Sequence, residues 1–294
     1  NYNHFIAANE RDTFIDFVHI VEEKNLEKRY IAKLDFCFDA ERMREAMQAE
    51  GLKWAELQSS PILLLPVWKG PDGASAWQKN NQWLSGWRNV LNNYDGLVSL
   101  QSLPHNLTHE RRFRGKDILE GNPIKLAAAA RIAKAEQIMV VTAILDYMGV
   151  KRFIDIEARL FDKLGQPITT IIKLPKKAFG KDDSKWFSKV RQTILDKVER
   201  SWHSANLINS NARDYLLVSV PAISAKQWSE RLEALRGVAV IQDFTIRTLD
   251  TRGGTILLEL AGSREALENA LASYELGLVD TGDIVSIVEK SITQ

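Results

Sequence analysis

His105 and His109, four residues apart with Glu110 beside them, come nearest to a metal-ligating pattern in this 294-residue chain. On a helix, an i, i+4 pair turns both imidazoles to one side, where they can share a cation. The His-Glu-x-x-His order is absent, a third ligand is not evident, and Pro104 and Asn106 predict a loop. Solvated loop histidines are therefore expected. Cys37 is the single cysteine, which excludes an intramolecular disulfide and a multi-cysteine metal centre. Its alternation with Leu34, Phe36 and Phe38 predicts a buried, inert thiol.

Nucleophile chemistry is equally sparse. The sequence holds no GxSxG elbow, Walker A loop or GxGxxG turn, and Gly253-Gly254 reads as a hairpin turn. Asp155 and Glu157 share one strand face and could pair as acid and base, yet a wet face of an alternating strand accounts for both. The expectation is a non-enzymatic chain without a cofactor.

Binding chemistry is better represented. Arg111, Arg112, Arg114 and Lys116 surround Phe113 in the densest basic cluster. An aromatic among arginines can stack a base or grip a phosphate. Glu110, Asp117 and Glu120 dilute that field, and four charges are few beside a non-specific DNA footprint. These residues are read first as a solvated loop or a contact for an acidic protein or lipid headgroup. Nucleic-acid or phosphate-ligand binding through loop 109–116 is the alternative. Lys173, Lys176, Lys177 and Lys181 make a second basic stretch that is read the same way. Among the tryptophans from Trp54 to Trp87, Trp68, Trp77 and Trp83 are candidates to line a sugar or peptide groove. Their helical and strand spacing predicts instead core packing between the first two segments of the chain, and Trp186 and Trp202 are expected in a core.

These residues must be positioned by a multi-domain scaffold, since single domains cluster at roughly 100–150 residues. Thirty-nine basic side chains against thirty-eight acidic ones give a net charge of +1, which argues against whole-chain steering to nucleic acid. No apolar run approaches the roughly 20 residues that span a bilayer. Asn1 to Asn9 lacks the basic-then-apolar order of a signal peptide, so either a removed leader or a fragment is expected.

Three segments follow along the chain. Residues 1–58 predict a ββα unit: strands over Phe14–Val21 and Tyr30–Phe38, then a helix capped by Asp39 and ended by Gly51. At under sixty residues it is too small to bury a core comfortably, which suggests the end of a longer N-terminal domain. Residues 59–208 predict a central α/β domain with a mixed sheet. Its elements are a doubly buried strand at Ile62–Val67, a tryptophan-rich helix over Ala76–Leu91 and a strand at Leu97–Leu103. A helix over Pro123–Ala135, three strands (138–145, 153–161, 168–174) and a long helix with Trp186, Val190, Ile194, Val198 and Trp202 on one stripe follow. Asn209-Ser210-Asn211 reads as a linker, and 212–291 predicts a ferredoxin-like βαββαβ unit. The fold class is therefore α+β in mixed layers.

Leu63-Leu64-Leu65-Pro66-Val67-Trp68, followed by Ala76-Trp77, Asn81, Trp83 and Trp87, resembles the core signature of an uncharacterised family of exported proteins from Gram-negative bacteria, notably alphaproteobacteria. The flanks agree: Arg29 to Phe36 with Phe38 before it, and the Ala-rich helix leading into Ile138–Leu145 after it. The resemblance runs from about Tyr30 to Leu278. It implies a domain of unknown function located in the periplasm or at the inner face of the outer membrane, with no known catalysis and no cofactor. The chain departs from it where relatives often carry a Gly-Asp, acidic segment, because His105 to Arg114 is basic here. The central strand-helix order is also similar to the N-terminal domain of the Tol translocation protein, an analogy of fold alone. Together these readings predict a non-catalytic periplasmic protein that binds or helps assemble other envelope components. Edge-to-edge pairing of the terminal sheet into a homodimer is a further expectation.

Overall fold

A computed structural model describes residues 11–26, 29–180, 183–209, 213–280, 282 and 284–290. Residues 1–9 (the segment set against a signal peptide), Ser210 and Asn211 of the linker, and Lys181 lie outside them. The chain divides into two compact units: Glu56–Ser204, and Asn1–Ala55 together with Ala205–Gln294.

The first elements are β1 (Ile15–Leu26) and β2 (Arg29–Phe38), a two-stranded antiparallel hairpin, then α1 (Ala40–Ala49). The Asp39 carboxylate accepts from the amides of Glu41 and Arg42 at 3.0 and 3.1 Å, satisfying two of the orphan donors of that helix start. Bulges after Ile15 and after Ile20 re-phase β1. Without them, strict alternation would scatter its apolar side chains over both faces. With them, Ile15, Val18 and Ile20 oppose Phe38, Phe36 and Leu34, while His19 opposes Asp35 and Glu22 opposes Lys33. One face is thus largely apolar, and the other mixes these charges with Phe17, Cys37 and Ile31. The apolar face lies open: Phe38 is 55% exposed, Ile20 50% and Tyr30 60%. Cys37, expected to be buried, is partly exposed opposite Phe17, since the hairpin buries neither of its faces fully. α1 buries none of its residues. β3 (Lys53–Trp54) ends this segment.

The central unit is a mixed sheet between two helical layers. Its strands are β4 (Ile62–Gly70), β5 (Gly73–Ser75), β6 (Leu100–Gln101), β7 (Gln137–Met148), β8 (Lys151–Asp162) and β9 (Pro167–Ala178). The order is β5-β4-β7-β8-β9, with β6 also on β4. β4 runs parallel to β6 and β7, and β7, β8 and β9 form an antiparallel meander. Ile62 and Leu64 enter one core, and Leu63, Leu65 and Val67 the other, so β4 is buried on both faces as its unbroken apolar run predicts. The first core is closed by α2 (Gln82–Asn93) and α6 (Ser184–Ala205) through Trp83, Trp87, Phe187, Val190 and Ile194. The second is closed by α4 (Gly115–Glu120) and α5 (Pro123–Ala133) through Ile118, Leu126 and Ala130; the short α3 (Leu107–Arg112) precedes them. Asp155 and Glu157 alternate with buried Ile154, Ile156 and Ala158, as a wet strand face requires.

In the other unit β10 (Ile208–Asn209) pairs antiparallel with β3, burying Trp54 and Ile208. There follow β11 (Asp214–Pro221), α7 (Ala225–Gly237), β12 (Ile241–Asp250), β13 (Gly253–Leu260), α8 (Arg264–Ala272), β14 (Leu276–Asp280) and β15 (Val285–Glu289). Ser224 and Ser263 cap the two helices through their hydroxyls. The sheet order β12-β13-β11-β15-β14 keeps the split-βαβ arrangement. It also departs from it: β15 folds back on β14 and inserts parallel to β11. Gly253, at φ +124°, forms the β12–β13 turn, where a Cβ would overlap the Val220 carbonyl oxygen. No helix among the described residues is long and apolar enough to cross a membrane.

Candidate functional site

The outer edge of β4 carries two short strands that do not meet. β6 pairs with Ile62 and Leu63, and β5 pairs with Trp68, Lys69 and Gly70. Leu64 to Val67 lie between these pairings, and Pro66 in that interval has no N–H to leave unsatisfied. A cleft of about 250 Å3 opens at the gap. Leu64, Leu65, Leu84 and Leu91 give it an apolar floor, while Arg88, Asn92 and Ser102 supply polar groups.

Each wall is fixed by local chemistry. The Ser59 hydroxyl accepts from the Ser99 amide at 2.9 Å, and the Ile62 amide donates to the Ser99 carbonyl at 2.8 Å, anchoring the approach to β6. Arg88 Nη2 donates to the carbonyls of Gln78 and Lys79 at 3.2 and 2.9 Å, bracing the segment after Trp77. The Trp77 indole N–H donates to the Phe113 carbonyl at 2.8 Å, and the His105 ring stacks on it with centroids 5.6 Å apart and planes 14° from parallel. The outcome is an aromatic wall, an apolar floor and one cation on a sheet edge. Small-ligand and peptide sites share that mixture of apolar lining and a few placed polar groups.

Of the three groove candidates, Trp77 lines this cleft. Trp83 is fully buried, packed edge-on against Trp87 at 5.7 Å within the core of the central unit itself, and not between the first two segments. Trp68 sits against Phe179 and Phe187 in the same core. Trp54 belongs to the other unit. Trp186 and Trp202 are half-buried on that same core, with the Trp202 indole donating to the Leu57 carbonyl at 2.8 Å.

Among the basic candidates, Arg111, Arg112, Arg114 and Lys116 are exposed, whereas Phe113 is fully buried. The ring that base stacking requires is therefore inside the protein. The expected loop is largely helical, because Asn106 accepts from the His109 amide at 2.8 Å and starts α3. The two histidines diverge: His105 faces Trp77, while His109 Nδ1 lies 2.7 Å from the Pro104 carbonyl oxygen. Among the described residues, no three His, Cys, Asp or Glu side chains gather as a metal requires.

Arg88, Asn92 and Ser102 escape sequence reasoning. A signal was present in part: Leu84, Arg88 and Leu91 recur at i, i+4 and i+7, so a charge interrupts an otherwise apolar helical stripe.

No family model and no curated protein matches the chain. Solved structures similar to about half of it include the lipoprotein GNA1162 from Neisseria meningitidis, at 16% identity over 48% of this chain and 98% of that one, TM-score 0.30. The PelC dodecamer from Paraburkholderia phytofirmans is similar at 13% identity over 49% and 91%, TM-score 0.30. The C-terminal domain of LpoB from Salmonella enterica is similar at 20% identity over 47% and 91%, TM-score 0.27.

Proposed function

We propose that the protein is a non-catalytic binding protein of the bacterial envelope that holds a segment of another envelope protein in the cleft beside β4. The observation that carries this reading is the cleft itself. A sheet edge interrupted between β5 and β6 leaves a cleft floored by core leucines next to Arg88 and the Trp77–His105 stack. An apolar side chain of a partner fits the leucine floor, and a nearby acidic group fits Arg88 and the exposed arginines of α3. The envelope setting rests on the sequence resemblance around Leu63–Trp68 and on nothing in the geometry.

The test compares recovery of proteins from a bacterial envelope extract by four versions of the chain. These are the native protein, Trp77→Ala, the joint reversal of Arg111, Arg112 and Arg114 to Glu, and a control reversal of Lys226 in the other unit. The proposal predicts that one set of proteins is recovered by the native chain and the control, and is lost with Trp77→Ala. Loss with the triple arginine reversal would add the basic segment 111–114 to the contact. Recovery indifferent to Trp77 contradicts the assignment.

A further inference from the structure

A second cleft, of about 360 Å3, lies between α2 and α6 in the central unit. The two clefts use different faces of α2: Leu84, Arg88 and Leu91 line the first, while Gly86, Asn89 and Asn93 line the second. From α6 the second receives Ser188, Arg191 and Gln192.

Arg191 is the unusual member. Its guanidinium lies flat against Gly86, where a Cβ would overlap both Cζ and Nη1. Glycine inside a helix costs about 1 kcal/mol relative to alanine, so a helix-interior glycine needs a reason, and here the guanidinium occupies the space a side chain would take. Nη1 is buried without an acceptor, and no carboxylate is among the described residues that line the cleft. Two acidic groups of α6 are held by side chains of the cleft wall rather than by Arg191: Asp196 accepts from Gln192 at 2.7 Å, and Glu199 accepts from the Tyr94 hydroxyl at 2.6 Å. Burial pushes the Arg191 pKa below its ordinary value. A half-buried cation with one N–H group left without an acceptor is unfavourable, and amide and hydroxyl side chains around it are suited to hydrogen-bond an anion's remaining oxygens.

We infer that the cleft between α2 and α6 is a binding site for a small oxyanion, a phosphate or carboxylate group, held by Arg191 over Gly86 with Asn89, Asn93, Ser188 and Gln192 around it. A guanidinium fork matches either group, because both present two oxygens at the spacing of its N–H donors. The inference is independent of the β4 cleft and of the partner proposed for it.

The experiment follows thermal unfolding of the whole chain in inorganic phosphate, acetate and chloride at matched ionic strength, for the native protein, Arg191→Met and Gly86→Ala. The site predicts that phosphate, acetate or both raise the native midpoint above chloride, with the larger response naming the group. Both variants lose that increment. In chloride, Arg191→Met unfolds at or above the native midpoint, since it removes a half-buried cation whose Nη1 has no acceptor. A merely structural Arg191 gives the reverse: a destabilised variant and no anion-specific response in the native chain. Should a variant fail to fold, the Arg191 Nε–H resonance of the native protein decides. Movement during phosphate or acetate titration, but not chloride, supports the site, and an unmoved resonance overturns it.

Discussion

At the scale of single residues, Tyr94 and Glu199 tie α2 to α6 across 105 positions of sequence, with the phenol donating at 2.6 Å. Burial first, and then the hydrogen bond and charge of Glu199, raise the phenol's pKa well above its ordinary 10.0. The sign follows from linkage. A group whose folded pKa is raised contributes stability in full below the unfolded value, and that contribution is lost as pH rises through the folded value. Stability should therefore hold to about pH 10 and fall beyond it. Tyr94→Phe should flatten that alkaline fall and cost about 1.5 kcal/mol at neutral pH, the low end for a bond to a charged group. Urea unfolding of both proteins across the alkaline range checks this; parallel curves would count against the bond. Residue-scale reading of the sequence succeeded where a side chain's neighbours are its own helix turn, as with the Asp39 cap. It missed where neighbours are remote: Phe113 reads as a surface aromatic among arginines, yet it closes the second core beneath β4.

At the scale of elements, the β1–β2 hairpin stands apart. An isolated two-stranded hairpin is marginal in water, and this one keeps Val18, Ile20, Phe36 and Phe38 open on a single face that two bulges organise. That open apolar face sets the hairpin apart from the two packed sheets of the chain. Deleting residues 1–49 should sharply lower binding of an apolar-sensing dye while leaving the main unfolding transition in place. Undiminished dye binding would place the exposed apolar surface elsewhere. The longer strands and helices were legible from period, because burial on one or both faces writes itself into alternation, whereas the six-residue α3 and α4 were not. The bulges, and the shortness of β5 and β6, were not: three-residue and two-residue pairings leave no periodic trace.

At the scale of the whole molecule, the α+β class and the split-βαβ order of the terminal sheet were legible, since both follow from element succession. The insertion of β15 between β11 and β14 was not, because parallel pairing across 67 residues (Val218 to Val285) has no local signature. The grouping of residues 1–55 with 205–294 likewise has no local herald, as it involves the two-residue pairing of β3 with β10. The β4 cleft is a product of the same scale: it exists only because two short strands, both following β4 in sequence, return to one edge and leave a gap. Its apolar floor was readable as core, its polar rim hardly at all.

The most direct measurement places a photo-crosslinking side chain at Asn92, on the cleft rim, and a second at Lys226 as a control, then irradiates each protein in an envelope extract. The account predicts a defined polypeptide adduct from the Asn92 position, abolished by Trp77→Ala and absent from the Lys226 position. Equal adducts from both positions, or an Asn92 adduct indifferent to Trp77, would contradict it.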